Sequence, residues 1–223
     1  MRGRGVLETL ARALSFVPEQ PTVDAALAIL VRAKRSTVDD VARLCEAIRA
    51  LTAGVRGALV LVHTHVDLVK KLGLDGAHLA SGVAATFADT VDHAARMRAA
   101  MPTGTLLGCS RHAGDALDDV ALASFDYVTL SPVFAPTSKH NDTRPTLGLD
   151  GLRAHVGRCA RPVVALGGVH EHNARACLDH GAVAVAVLGA AMSARDPRTV
   201  TTSLLARTAS APSGSRREQV RTP

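Results

Sequence analysis

PVVALGG at residues 162–168 and VAVAVLG at residues 183–189 are the two stretches that decide the fold of this 223-residue chain. Each is a short apolar run that ends in glycine before a helical pattern, which is typical of a buried strand in a parallel sheet. In a (β/α) barrel, the loops after the last two strands meet at the carboxyl ends of the strands and commonly bind phosphate. Glycine lets backbone N–H groups approach such a ligand, although it can also serve only to permit a tight turn. The predicted phosphate-binding residues are Gly167, Gly168, Leu188 and Gly189.

Strand-like runs alternate with amphipathic helical patterns outward from these two stretches, which indicates repeated βαβ units. The predicted strands are Ala25–Ala33, Ala58–Thr64, Gly76–Ala80, Thr105–Cys109, Tyr127–Pro132, Pro162–Leu166 and Val183–Leu188. The predicted helices are Ser36–Ala53, Val66–Leu72, Ala88–Ala100, Asp115–Ser124, Leu149–Val156, Glu171–His180 and Gly189–Ala206. A closed barrel of this type has eight strands, and only seven are visible. We therefore predict an α/β fold, a TIM (β/α)8-type barrel whose first strand is missing or irregular.

Three parts of the chain differ in composition. Residues 1–24 hold a predicted helix and a turn with two prolines, and residues 25–207 form the barrel. Residues 208–223 are rich in Ser, Arg and Pro, which predicts a disordered basic tail. Within the barrel, Ser36 and Asp39 have the spacing of a helix capping box, and Gly181 stands where a helix is expected to stop.

Composition and charge exclude several classes of protein. Hydrophobic residues make up 47% of the chain and aromatic residues only 2%, so the core is built from small apolar side chains without stacking surfaces for single-stranded nucleic acid. The net charge of +6 lies largely towards the two ends and accompanies no nucleic-acid-binding motif. The cysteines form no C-x-x-C pair, and no apolar stretch is long enough to span a membrane. We expect a cytoplasmic protein with no nucleic-acid or membrane partner, and homo-oligomer formation is left open.

Several further motifs resemble one enzyme family. They are VRAK at 31–34, DGAHL at 75–79, GCSRH at 108–112, DYV at 126–128, SPVFAPTSK at 131–139, LGL at 147–149 and VALGGV at 164–169. Together they resemble the thiamine phosphate synthase and TenI family over roughly Leu27 to Ser193. The resemblance implies a transferase in thiamine biosynthesis, in which thiazole phosphate and hydroxymethylpyrimidine pyrophosphate are joined and pyrophosphate leaves.

The resemblance also implies the residues of an anion clamp. Arg32 and Lys34 match the basic pair of the family, and their spacing on a strand points both side chains the same way. Ser110 matches a hydroxyl near the pyrophosphate, and Ser138 with Lys139 matches a Thr-Lys pair that closes over it. His112 is the acid–base candidate. Each basic residue alone would be expected to be a solvated surface charge.

The magnesium ligands of the family are missing. Thr64 and Val83 stand where the resemblance places carboxylates, and magnesium usually needs at least one carboxylate ligand. Magnesium is therefore expected for the family but not for this chain, and we predict a weak or impaired transferase. His63 and His65 could hold a transition metal if His78 converged on them, and this point is left open.

Two alternatives compete with the transferase. The first is a TenI-like thiazole tautomerase, an isomerase, although Pro132 occupies the place of its usual histidine base and leaves only His112. The second is a non-catalytic protein that binds a phosphorylated ligand. The remaining histidines His155, His170, His172 and His180 are expected to face solvent.

Overall fold

The computed structural model describes residues 8, 9, 11, 12, 27–55, 57–81, 87–135 and 144–209. Residues 8, 9, 11 and 12 are helical, inside the predicted N-terminal helix. The predicted site residues Ser138 and Lys139 lie outside the described residues, as do Val83, which replaces a magnesium ligand of the family, and positions 210–223 of the predicted tail. The division of the chain at residues 24/25 and 207/208 stays a prediction.

Seven strands form one parallel sheet. They are β1 (Ala28–Val31), β2 (Leu59–His63), β3 (Gly76–Leu79), β4 (Leu106–Arg111), β5 (Tyr127–Leu130), β6 (Val163–Leu166) and β7 (Ala184–Ala186). Each strand pairs with the next along the chain, so the order in space is the order in sequence. This arrangement confirms the predicted barrel-type fold, and within the described residues β1 and β7 each have a neighbour on one side only.

Helices follow the strands, as the βαβ pattern predicts. They are α1 (Val38–Thr52), α2 (Asp67–Leu72), α3 (Phe87–Ala99), α4 (Asp119–Leu122), α5 (Gly148–Arg158), α6 (Ala174–Asp179), α7 (Gly189–Met192) and α8 (Pro197–Ala209). Helix α1 buries Val41, Cys45 and Ile48, the apolar face that packs on the sheet. Across the described part of the chain, no helix is both long and apolar enough to cross a membrane.

Two predicted helix ends are wrong. The capping box of α1 is formed by Thr37 and Asp40, because Thr37 has extended backbone angles and its Oγ1 accepts from the Asp40 N–H at 3.2 Å. The predicted helix Gly189–Ala206 is two helices, because Pro197 lacks an N–H and is tolerated only at a helix start. The second of these helices extends to Ala209. The predicted stop at Gly181 is confirmed, since this residue follows α6 with a φ of 95°.

Two carboxylates hold the amino ends of the strands. Asp75 precedes β3 and accepts from the Val60 N–H of β2 at 2.7 Å. Asp126 precedes β5, accepts from the Leu107 N–H of β4 at 2.7 Å and pairs with Arg98 of α3. In barrels this end of the sheet serves stability, which leaves the opposite, carboxyl end for the functional residues.

Candidate active site

The Gly-Gly turn after β6 requires glycine at both positions. Gly167 and Gly168 have φ values of 95° and 63°, in the left-handed region that favours glycine. A Cβ on Gly167 would lie 2.8 Å from Pro132 Cα, and one on Gly168 would lie 2.6 Å from the Ala135 carbonyl oxygen. The missing side chains therefore make room for the loop after β5. The Gly-Gly pair is therefore explained in part by this packing and not by a ligand alone.

Gly168 and Gly189 nevertheless line the same hollow. It is open, has a volume of about 400 Å³, and is also lined by Val169, His170, Glu171, Ala190, Ser193, Ala194 and Val200. In α7 the first backbone hydrogen bonds run from Met192 to Leu188 and from Ser193 to Gly189, so the N–H groups of residues 189–191 precede the first helical bond and are available to a ligand. Leu188 is 60% exposed and is absent from that lining. The structure thus brings together Gly168 and Gly189 of the predicted phosphate site.

Arg32 and Lys34 lie at the carboxyl end of β1. Both are exposed, and neither is on the strand, because pairing with β2 ends at Val31 and the chain then turns with the Ser36 N–H bonded to the Ala33 carbonyl. Their positive charges act on the neighbouring strand end. Burial, followed by the charges of Arg32 and Lys34, lowers the pKa of His63 from 6.5 to about 4. His63 is therefore neutral beside two cations.

Ser110 belongs to a group of hydrogen-bonded polar side chains inside the barrel. His78 is 2% exposed; its Nε2 lies 3.0 Å from Ser110 Oγ and its Nδ1 lies 3.1 Å from the Tyr127 hydroxyl. Thr129 Oγ1 lies 3.4 Å from the same Nε2. The sequence alone does not mark Tyr127 or Thr129 as site residues, although their alternate positions on β5 place both side chains on one face of the sheet.

His112 follows β4 and is held on two sides. Its Nδ1 lies 2.7 Å from the Ser131 carbonyl oxygen, to which it donates, and its backbone N–H donates to Asp115 at 2.9 Å. The tautomer that donates from Nδ1 leaves Nε2 as an acceptor. One guanidinium nitrogen of Arg144 lies 3.0 Å from both Nδ1 and Nε2, so a cation packs against the imidazole ring.

The residues that the structure describes at this strand end do not fit magnesium. Thr64 Oγ1 lies 2.7 Å from His63 Nδ1, and Thr64 adopts a φ of 71°, a strained value for a β-branched residue. Over the described ranges of the chain, no three His, Cys, Asp or Glu residues are grouped so as to hold a metal ion. His63 and His78 do approach each other, with ring centroids 6.3 Å apart. However, His78 uses both ring nitrogens in the bonds described above.

The other histidines are less exposed than predicted. His170 lines the hollow beside Gly168. His155 is close to the carbonyl oxygens of Gly151 and Ala113, and His180 Nδ1 lies 2.7 Å from the Ala176 carbonyl oxygen. The expectation that all four face solvent is therefore met only in part, since His155, His170 and His180 are half-buried. His172 is exposed.

Comparisons with known proteins agree on one family. A family model described as thiamine monophosphate synthase matches residues 7–191. Thiamine-phosphate synthase of Methanoregula boonei is 34% identical over 169 residues, 76% of this chain and 74% of that protein. The enzyme of the same name from Caldicellulosiruptor saccharolyticus is 31% identical over 161 residues, which are 72% of this chain and 68% of that one.

Solved structures show the same likeness. Thiamine phosphate pyrophosphorylase from Pyrococcus furiosus superposes with a TM-score of 0.68 at 27% identity, covering 91% of this chain and 88% of that one. A 3-hexulose-6-phosphate synthase superposes with a TM-score of 0.62 at 16% identity, covering 92% and 94%. The second match shows the shared fold alone.

Proposed function

Because this chain belongs to the thiamine monophosphate synthase family, we propose that it acts in thiamine biosynthesis as a thiamine phosphate synthase-like transferase. Its substrates would be hydroxymethylpyrimidine pyrophosphate and thiazole phosphate. The observation that carries this proposal is the cationic carboxyl end of β1, where Arg32 and Lys34 are both exposed and a departing pyrophosphate can be stabilised.

The chemistry assigns a role to each part of the site. The bond between the pyrimidine methylene carbon and the pyrophosphate oxygen breaks, and its electron pair leaves with the pyrophosphate. The thiazole nitrogen then supplies the electron pair of the new carbon–nitrogen bond. Arg32 and Lys34 neutralise the leaving group, and Ser110 donates a hydrogen bond to it. The backbone N–H groups beside Gly168 and Gly189 bind the thiazole phosphate at the carboxyl ends of β6 and β7.

Ser138 and Lys139 complete this proposal from the sequence. They stand in the segment that resembles the family most closely, and their proposed role is to close over the pyrophosphate.

Loss of the magnesium ligands is expected to lower the rate of the transferase reaction without changing the net charge of the site. The charges of two carboxylates and a divalent cation cancel, so their joint loss leaves the net positive charge from Arg32 and Lys34 unchanged. An anion can still bind. The site nevertheless lacks the divalent cation that would add to their stabilisation of the leaving pyrophosphate, and each ~1.4 kcal/mol of lost stabilisation is about tenfold in rate. We therefore propose weak turnover that does not depend on magnesium.

A second candidate is the TenI-like isomerase, and His112 favours it. Because Nδ1 is fixed on the Ser131 carbonyl, Nε2 can accept a proton from a bound thiazole carboxylate phosphate. The nearby Arg144 can pair with the substrate carboxylate. A third candidate is a non-catalytic protein that binds a phosphorylated ligand at the Gly168 hollow.

One set of assays separates the three candidates. Purified protein is incubated with both transferase substrates, with magnesium or with a chelator, and the coupled product is quantified by chromatography. The transferase predicts product that persists in chelator and falls in Arg32→Ala and Lys139→Ala, while Lys70→Ala, an exposed position on α2, serves as the matched control. Thiazole phosphate binding without product in any condition supports the non-catalytic protein. Isomerisation of thiazole carboxylate phosphate that is lost in His112→Ala supports the isomerase.

Location and assembly stay proposals as well. We propose a cytoplasmic protein whose partners are small phosphorylated molecules and not nucleic acid. Homo-oligomer formation would be measured by sedimentation of the purified chain.

A further inference from the structure

The buried imidazole of His78 must have a defined proton arrangement. A neutral imidazole carries one donor and one acceptor nitrogen. Burial, followed by the charges of His63, Arg32 and Arg111, lowers the pKa of His78 from 6.5 to about 3. The ring is therefore neutral in the folded protein. One of its two hydrogen bonds must be donated and the other accepted.

Tyr127 decides which nitrogen accepts. Burial raises the pKa of its phenol well above the ordinary value of 10, with smaller effects from Cys109 and Asp126, so the hydroxyl keeps its proton. Within the described part of the chain, the partner of this hydroxyl is His78 Nδ1. Tyr127 is half-buried, and a phenol proton held beside an imidazole nitrogen is expected to use that nitrogen as its acceptor. It therefore occupies the Nδ1 lone pair, and the imidazole proton lies on Nε2.

We propose that Tyr127, His78 and Ser110 form a chain of directed hydrogen bonds in which each group donates to the next. Tyr127 donates to Nδ1, and Nε2–H donates to Ser110 Oγ with Thr129 Oγ1 as a more distant second acceptor. The hydroxyl proton of Ser110 is then free to point towards a bound ligand. Tyr127 and His78 are positioning residues for Ser110, and this role rests on the proposed function of the Ser110 site.

The backbone of β4 supports this chain of hydrogen bonds. The register pairs His78 with Gly108, and Gly108 with Tyr127. A Cβ on Gly108 would lie 2.1 Å from Tyr127 Cζ, so the phenol ring occupies the space of the missing side chain. The glycine thus fixes where the first donor of the chain lies.

The direction of the chain defines what Ser110 can do. Because Nε2 donates to Oγ, His78 cannot remove the serine proton, and Ser110 is not an activated nucleophile. It is a hydrogen-bond donor whose own oxygen is already engaged. Such a donor recognises an anionic oxygen, which is the same ligand class that Arg32 and Lys34 attract.

The first test needs no ligand. Long-range ¹H–¹⁵N correlation spectra of histidine-labelled protein report the tautomer of each ring, and the His78→Gln variant assigns the His78 signals. We expect His78 to be in the Nε2–H tautomer in the unmodified protein and to lose this tautomer preference in Tyr127→Phe. An Nδ1–H tautomer in the unmodified protein would overturn the proposed direction. If His78→Gln does not fold, Tyr127→Phe assigns the signals by the shift it causes.

The second test measures pyrophosphate binding by calorimetry. We expect Ser110→Ala to weaken binding about tenfold, the loss of one hydrogen bond to a charged group. Tyr127→Phe should weaken binding about threefold by itself and should have no further effect in the Ser110→Ala background. Additive losses in the double variant would refute a positioning role, and Ser203→Ala on α8 is the control. If the unmodified protein binds no pyrophosphate, the proposed function fails, while the tautomer measurement still decides the direction of the chain.

Discussion

Replacing Gly168 by alanine tests the contact between the loops after β5 and β6. The new Cβ would lie 2.6 Å from the Ala135 carbonyl oxygen and 2.7 Å from Phe134 Cβ. One of these atoms belongs to the backbone and the other is the first atom of its side chain. Neither can rotate away, so the loops must separate or the turn must deform.

The expected loss of stability has two parts. The left-handed φ of 63° at this residue costs an L-amino acid about 1–2 kcal/mol. Overpacking of a tight contact costs a further 1–3 kcal/mol, roughly. The variant should therefore lose about 2–5 kcal/mol of unfolding free energy.

Gly104→Ala is the matched control. Gly104 has a φ of 85° and nothing within 4 Å of its would-be Cβ, so it should lose only about 1–2 kcal/mol. Urea denaturation gives the free energy of unfolding of both variants, and the difference between them reports the contact at Gly168. Alanine stiffens the unfolded chain equally in both variants, so this effect on stability cancels. Equal losses at the two positions would refute the contact. The Gly168 variant should also bind thiazole phosphate more weakly, whereas the Gly104 variant should bind it normally.

Three further predictions concern strain, charge and pH. Thr64→Asn should raise the free energy of unfolding by about 1 kcal/mol, because asparagine tolerates the left-handed region better than threonine; unchanged or lower stability in urea would contradict this. Asp126→Asn should lower the free energy of unfolding by about 1–3 kcal/mol, since the carboxylate accepts a backbone hydrogen bond and forms an ion pair. Asp119→Asn should lower it by under about 1 kcal/mol, because the carboxylate of that ion pair is 83% exposed. The pKa values of His63 and His78 are about 4 and 3 in the fold against 6.5 when unfolded, so the unfolded chain binds more protons in between. Stability should be full above pH 6.5 and fall towards pH 4 in urea titrations at stepped pH, and a slope unaltered in His78→Gln would contradict this origin.

The sequence predicts the strands well because apolar runs bounded by turns are local signals. All seven predicted strands overlap observed ones, with ends that differ by a few residues. The last predicted helix is wrong although the sequence carries the signal, because Pro197 lacks an N–H and begins a second helix. The helical pattern on its own does not show whether tertiary packing keeps one helix or allows two.

The chain of hydrogen bonds through Tyr127, His78 and Ser110 cannot be predicted from local sequence pattern. His78, Ser110 and Tyr127 stand on three strands, and their contact depends on the register that pairs His78 with Gly108 and Gly108 with Tyr127. A shift of one residue in either pairing would turn a side chain to the other face. The motifs around these residues mark them individually through the family resemblance, but their hydrogen bonds follow from the sheet.

Among the described residues, β1 and β7 each pair with one neighbour only, and this affects how the sheet comes apart. A strand held on both sides must break two ladders to leave, whereas the terminal strands described here break one. Local opening should therefore begin at either end, and amide hydrogens of β1 and β7 should exchange with solvent sooner than those of β3 to β5. The same two ends carry Arg32 and Gly189, so a ligand that engages both residues would slow exchange in the least protected strands and raise the cooperativity of unfolding.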